Sequence, residues 1–175
     1  MRALVPVLYA TMAMPAIAQE SRQLGAHEHG VGELNIAVDG RTVAMEFHAP
    51  GADIVGFEYE ADSDGDRVAI EAAVALLARP LDLFVLPEAA ECTVLQARAE
   101  LEGEAHHGAG ARHSEFHAEY EMTCAAPKAI SGITFAYFDA FENAREIKVQ
   151  IVTVSGAQAF EVERDAPTID LRGVF

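Results

Sequence analysis

Positive charge is scarce in this sequence. Lys and Arg number 12 against 28 Asp and Glu, a formal net charge of −16. A nucleic-acid binder needs the opposite field, and so does a protein that adheres to an anionic membrane surface, so neither class fits. Long hydrophobic runs are also scarce. One follows Met1-Arg2, from Ala3 to Ala16, and it ends in the small-x-small triplet Ala16-Ile17-Ala18. It is shorter than the ~20 apolar residues that cross a bilayer, and it has the three parts of a secretory signal peptide. Residues 1–18 are therefore expected to be a cleaved signal peptide, with the mature chain starting at Gln19. No later stretch is long and apolar enough to span, so no membrane insertion is expected.

Cysteine is limited to Cys92 and Cys124, and no C-x-x-C spacing supports a zinc thiolate site. In an exported chain these two are expected to form a disulfide. Catalytic signatures are missing: there is no H-E-x-x-H, no G-x-S-x-G and no P-loop. Asp62-Ser63-Asp64-Gly65-Asp66 resembles the start of a Ca²⁺ loop. The EF-hand pattern needs Glu at its twelfth position, and here that position is Ala73. The run is better read as a helix N-terminus, and the chain is not expected to be an enzyme.

With 51% apolar residues, the rest of the chain suffices for one domain with a real core. Residues 19–30 are polar and Gly-containing and read as a flexible, His-containing mature N-terminus, with a single domain over 31–175. Val31 to Val38 and Thr42 to His48 alternate as strands around the turn signal Asp39-Gly40. Asp53 to Glu60 fits either a strand or an irregular buried segment. A helix is expected over about 66–79, its apolar residues at helical spacing and its first turn acidic, with Pro80 as the stop. Leu81 to Leu86 is a short apolar segment. Two long strands follow, Glu91 to Glu102 and Ser114 to Cys124. Ile133 to Phe138 reads as another strand, Asp139 to Arg145 as a connection, and Glu146 to Val162 as a hairpin around Ser155-Gly156. Ile169 to Leu171 ends the series. The expected fold class is α+β: a single domain with a mostly antiparallel β-sheet and one main helix.

All seven His lie after the cleavage site. His27 and His29 form an H-x-H, and His106, His107, His113 and His117 belong to a His-rich hairpin loop at 103–117. Short His-rich tracts read as metal sites, and neutral imidazole suits Zn, Cu and Ni. Alternation on the returning strand puts Phe116, Ala118, Tyr120 and Met122 on one face, with His113, Glu115, His117, Glu119 and Glu121 on the other. Matching apolar residues pairs Leu101 with Phe116 and Leu95 with Met122. It also sets Glu100 opposite His117 and Glu104 near His113. Such neighbours lie ~4.5–5.5 Å apart, within reach of a shared ion or a His–carboxylate contact. His113 and His117 lie too far apart along one strand, at ~3.4 Å per residue, to share an ion. One of them must therefore combine with His106-His107 or with the N-terminal pair. This register sets Cys92 opposite Ala125, so a disulfide requires a one-residue bulge near either cysteine or a register shifted by one. His48 follows a strand alone and reads as structural.

His-x-His-Gly near the mature N-terminus is followed by Pro50-Gly51-Ala52-Asp53-Ile54-Val55-Gly56-Phe57-Glu58-Tyr59. Then come a helix, a Cys, a His-rich charged insert, a second Cys, the aromatic strand around Phe135 to Phe141 and the hairpin Ile147 to Val162. This pattern resembles the ZrgA-like zinc-regulated periplasmic proteins of Gram-negative bacteria, over nearly the whole mature chain. The resemblance implies a periplasmic Zn²⁺-binding accessory to zinc acquisition, working beside an outer-membrane receptor and an inner-membrane transporter. By position, His27 and His29 match the N-terminal motif, while His106, His107, His113 and His117 match the insert. Members often carry a longer insert than this one. The other readings are a Cu or Ni chaperone, a metallo-hydrolase and a structural envelope protein with incidental histidines. Few methionines, and no cluster of them, weigh against Cu(I). Changing His106, His107, His113 and His117 together to Ala is expected to abolish sub-micromolar zinc binding in a calorimetric titration; equal affinity would sink the hairpin assignment.

Overall fold

The structure, a computed structural model, describes residues 28–103 and 114–175. The expected signal peptide, His27, His106, His107 and His113 lie outside the described residues. No helix among those described is long and apolar enough to cross a membrane.

The chain opens with the expected hairpin, β1 (Val31–Asp39) and β2 (Thr42–Pro50). Gly40 takes the turn with φ +56°, a region that favours glycine. A single helical turn, α1 (Gly51–Ile54), follows, and Asp53 to Glu60 is otherwise irregular. The main helix, α2, runs Asp64–Leu77 and not 66–79. Ser63 starts it earlier through a capping box: its Oγ accepts from the Asp66 N–H at 3.0 Å, and its own N–H donates to Asp66 Oδ2 at 3.1 Å. The helix also stops before Pro80, which instead opens the short turn α3 (Pro80–Leu83). A two-residue strand, β3 (Phe84–Val85), leads to the long hairpin strands β4 (Cys92–Gly103) and β5 (Ser114–Cys124). The segment expected as one strand over 133–138 splits into β6 (Gly132–Phe135) and the turn α4 (Tyr137–Ala140). Then come β7 (Glu146–Thr153), β8 (Gly156–Glu163) and β9 (Thr168–Asp170).

Six strands form one sheet in the order β4-β5-β2-β1-β7-β8, and β3-β6-β9 form a smaller one. Every pairing is antiparallel except β1 with β7. The α+β class with a mostly antiparallel sheet and one main helix thus holds. One face of the large sheet is sealed by Leu34, Ile36, Val43, Met45, Phe47, Phe116, Ala118, Tyr120, Met122, Ile147, Val149 and Ile151, all buried. Against it pack Leu77 of α2, Phe84, Phe135 and Tyr137. The Phe47 ring meets Tyr137 edge-on at 5.2 Å and Phe84 at 5.5 Å, so aromatic contacts join the two sheets. Arg164 holds α4 and the loop after it: its guanidinium donates to the carbonyls of Phe138, Phe141 and Ala144.

The β4–β5 register contains a one-residue bulge, one of the two ways in which the cysteines could be brought face to face. Val94 pairs with Met122 and Gln96 with Glu121, leaving Leu95 as the extra residue. Leu95 therefore does not face Met122, as apolar matching expected; it bulges outward, exposed. Beyond the bulge, Cys92 faces Cys124 and the two are disulfide-bonded. On the other side of the bulge the expected pairs Leu101–Phe116 and Glu100–His117 stand. Replacing both cysteines by serine is expected to cost ~2–4 kcal/mol, by loss of a cross-link that restrains the unfolded chain, as measured by urea denaturation.

Candidate metal centre

Burial of one sheet face dictates what the other presents. Phe47 points into the core, so Glu46 and His48 on either side point out of it. Phe116 and Ala118 are buried likewise, so Glu115 and His117 turn outward. Strands β2 and β5 are neighbours, and their register sets His48 directly opposite His117. On the outer strand Glu100 sits across from His117, with Glu102 across from Glu115.

The two imidazoles stack with centroids 4.4 Å apart and planes 15° apart. Each turns Nε2 toward the same carboxylate oxygen: Glu46 Oε1 lies 3.3 Å from His48 and 3.5 Å from His117. Their Nδ1 atoms face other carboxylates, Glu115 at 3.7 Å for His48 and Glu102 at 3.3 Å for His117. A carboxylate only accepts, so His117 donates from Nδ1 and, when neutral, keeps its lone pair on Nε2. That Nε2 is buried and has no hydrogen-bond partner. The side chains are 23% and 17% exposed for His48 and His117, dry enough to strengthen a bound cation's interactions but open to exchange.

These atoms fit a cation. Glu46, His48 and His117 each offer one ligand atom, all within 4.8 Å of one another. Tetrahedral zinc with bonds of ~2.0–2.1 Å separates its ligand atoms by about 3.3 Å, close to the spacings from Glu46 Oε1 to both Nε2 atoms. Carboxylates behind the Nδ1 atoms are the arrangement that orients metal-binding histidines. Glu100, Glu102 and His117 form a second, more exposed grouping on the other side of the same ring. Beside Glu46 the open sheet face dips into a shallow basin of about 640 Å³ that Asn35, Glu119, Glu121 and Gln150 help to line. The face is thus accessible to solvent and to a further ligand.

Of the six histidines expected to bind metal, the described residues include His29 and His117. His117 belongs to the strand-face group. His29 does not: its Nε2 contacts Glu58 Oε1 at 3.0 Å. The next residue, Gly30, donates its N–H to Asp53 Oδ1 at 2.8 Å. Asp53 is buried, and that burial pushes its carboxyl upward, against the lowering effect of the Gly30 N–H. His48 is the correction. It does not sit alone; it is the immediate neighbour of His117. Glu46, Glu102 and Glu115 were missed as contributors too. Their signal was present as polar alternation, Glu46-Phe47-His48 and Glu115-Phe116-His117, but nothing local says that β2 lies beside β5.

His48 has its pKa raised, chiefly by its contact with Glu115, with burial opposing and Glu46 adding. A raised histidine contributes stability below its unfolded value near 6.5 that is lost as pH rises through the folded value. The same proton would compete with a metal for the ring. In an NMR titration of the metal-free protein, the His48 midpoint is expected above 6.5 and is expected to fall in Glu115→Gln. Zinc affinity should correspondingly climb as pH rises through that midpoint.

No curated protein matches the chain. Its sequence does match the family model described as ZrgA family zinc uptake protein, over residues 26–171. That span takes in both the histidine pair on the sheet and the His29–Glu58 contact, and the chain belongs to the ZrgA family of zinc uptake proteins.

Proposed function

We propose that this is a periplasmic zinc-binding protein, not an enzyme, that captures Zn²⁺ and hands it to an uptake system. The observation that carries the reading is the convergence of the His48 and His117 Nε2 atoms on Glu46, with carboxylates behind both rings. His48, His117 and Glu46 would hold the ion, while Glu102 and Glu115 orient the imidazoles. Three protein ligands leave a fourth position for water or a donor from a receiving protein, which suits hand-over. His27, His106, His107 and His113 are further candidate ligands by sequence. The family's description as zinc uptake proteins supports the metal. The small-x-small end of the leader and the Cys92–Cys124 disulfide support an oxidising, extracytoplasmic setting. An outer-membrane receptor or an inner-membrane transporter component is the fitting partner.

A calorimetric Zn²⁺ titration of the metal-stripped protein tests this. Saturable binding is expected, released by chelator. The pair His48→Ala and His117→Ala should lose more than the ~10–100-fold expected from Glu102→Gln, which removes only an orienting carboxylate. An unchanged isotherm for the histidine pair would reduce the strand-face group to a stacked, ion-paired contact.

A further inference from the structure

The outward face of the six-stranded sheet carries more than the candidate metal centre. Strand pairing aligns its side chains in rows. One row runs Glu119, Glu46, Asn35, Gln150 and Ala159 across β5, β2, β1, β7 and β8. The next row toward the β1–β2 turn runs Glu121, Ala44, Ala37, Val152 and Ala157. Ala37 and Ala44 are exposed, so no described segment packs on them. Their short side chains help form the floor of the basin of about 640 Å³ beside Glu46. Glu119 and Glu121 border it on β5, and Gln150 and Val152 on β7. Those two strands stand three strand spacings apart, ~14 Å, which is wide enough for one extended chain with its side chains. The basin is therefore a trough along β1 and β2, and one end of it opens on Glu46, between His48 and His117.

The trough is charged on one side. Glu119 and Glu121 are exposed, and neither has an ion-pair partner among the described residues. Arg98 is aligned with Glu119 but turns to Glu100, 3.4 Å away. Lys148, the other cation on this face among the described residues, lies 3.7 Å from Glu28. Glu119 and Glu121 are two residues apart on one strand, ~6.8 Å, which is also the spacing of alternate side chains in any extended chain. Across the trough, Asn35 and Gln150 stand side by side and offer amide donors and acceptors to a backbone. Val152, 52% exposed, offers apolar contact at the same wall.

Resting on the hand-over reading above, we propose that this trough docks an extended segment of the protein that receives the ion, a segment with Lys or Arg at alternate positions. Its basic side chains meet Glu119 and Glu121, its backbone meets the two amides, and its small or apolar residues lie on Ala37, Ala44 and Val152. A segment seated there ends beside Glu46, where a donor side chain reaches the open fourth position of the ion. Charge complementarity fixes its orientation and speeds the encounter. Neither Glu119 nor Glu121 belongs to the group that would hold the ion, so docking and metal binding are separable by substitution.

The test uses the purified chain, zinc-stripped and zinc-loaded, at physiological ionic strength. The probe is a fluorescent octapeptide of alternating Lys and Thr, read by anisotropy beside its isomer with all the Lys in one block. The alternating peptide is expected to bind more tightly than the block isomer. Glu119→Gln with Glu121→Gln should weaken it about fivefold, as for two exposed charge pairs. Glu71→Gln with Glu88→Gln removes the same charge away from this face and should change binding less than about twofold, because salt screens distant charges. Ala44→Phe fills the trough without altering charge, on an exposed strand position that tolerates an aromatic ring, and should abolish binding. Equal losses in the two Glu pairs overturn the proposal, because the peptide would then be reading only the acidic field of the whole chain. Undiminished binding to Ala44→Phe overturns it also, as does equal binding of the two peptides. Zinc calorimetry keeps the two readings apart. Ala44→Phe with zinc affinity intact and the peptide lost supports docking, and loss of both overturns it. A parent that binds no zinc defeats the hand-over reading, while peptide-induced amide shifts at Ala37, Ala44 and Glu121 would still support the docking surface; shifts confined to other parts of the chain overturn it.

Discussion

The geometry of the candidate metal centre depends on the one-sided burial of the six-stranded sheet. Side chains alternate along a strand, so burying Phe47 forces Glu46 and His48 outward, and burying Phe116 and Ala118 does the same to His117. A one-residue slip in either strand would put a charged or imidazole group in the core and a phenyl ring in water. Full burial of one such ring is worth ~1.5–3 kcal/mol, and every other inward residue of the strand adds to the penalty. The register that sets His48 opposite His117 is thus enforced from the opposite side of the sheet, by the side chains buried there. Ligands on paired central strands are held more exactly than ligands on loops.

Carboxylates then determine how tightly those imidazoles hold anything. Glu46 lies between the two Nε2 atoms, and Glu102 and Glu115 lie behind the Nδ1 atoms. Orienting the rings favours metal, but the same negative charge draws protons to His48. A cation at this group would therefore compete with the proton for the His48 ring, in the range where histidine titrates. The large acidic surplus of the whole chain adds a field that raises the local concentration of cations. Around Asp53 the balance differs, because burial there leaves a carboxylate oxygen without a partner.

Much of the fold was legible where the pattern is local. Strands β1 and β2 follow from alternation and the Asp39-Gly40 turn, β7 and β8 from alternation around Ser155-Gly156, and α2 from helical spacing. The failures have physical reasons. Phe135 to Phe138 carries no alternation, because Phe135, Tyr137 and Phe138 are all buried. The turn there is held by Arg164, which reaches the Phe138 carbonyl from 26 residues away. The cysteines called for either a bulge or a shifted register, and the Leu95 bulge could not be placed, since an extra residue in one strand leaves each strand's own pattern nearly intact. Of the candidate site, the sequence picked out His117 and the Glu100 opposite it. His48 escaped because it has no neighbouring histidine along its own strand.

By itself the sequence determined the acidic surface, the α+β class, the faces on which residues of the long strands lie, and the histidine-rich composition that fits a zinc uptake family. All of these are properties of composition or of short-range period. Tertiary structure alone decided that β2 lies between β1 and β5, that His48 therefore stacks on His117 around Glu46, and that His29 meets Glu58 beside buried Asp53. Those contacts join segments distant along the chain. Strand order is set by which apolar faces can be covered together in one core, and no local pattern encodes that choice.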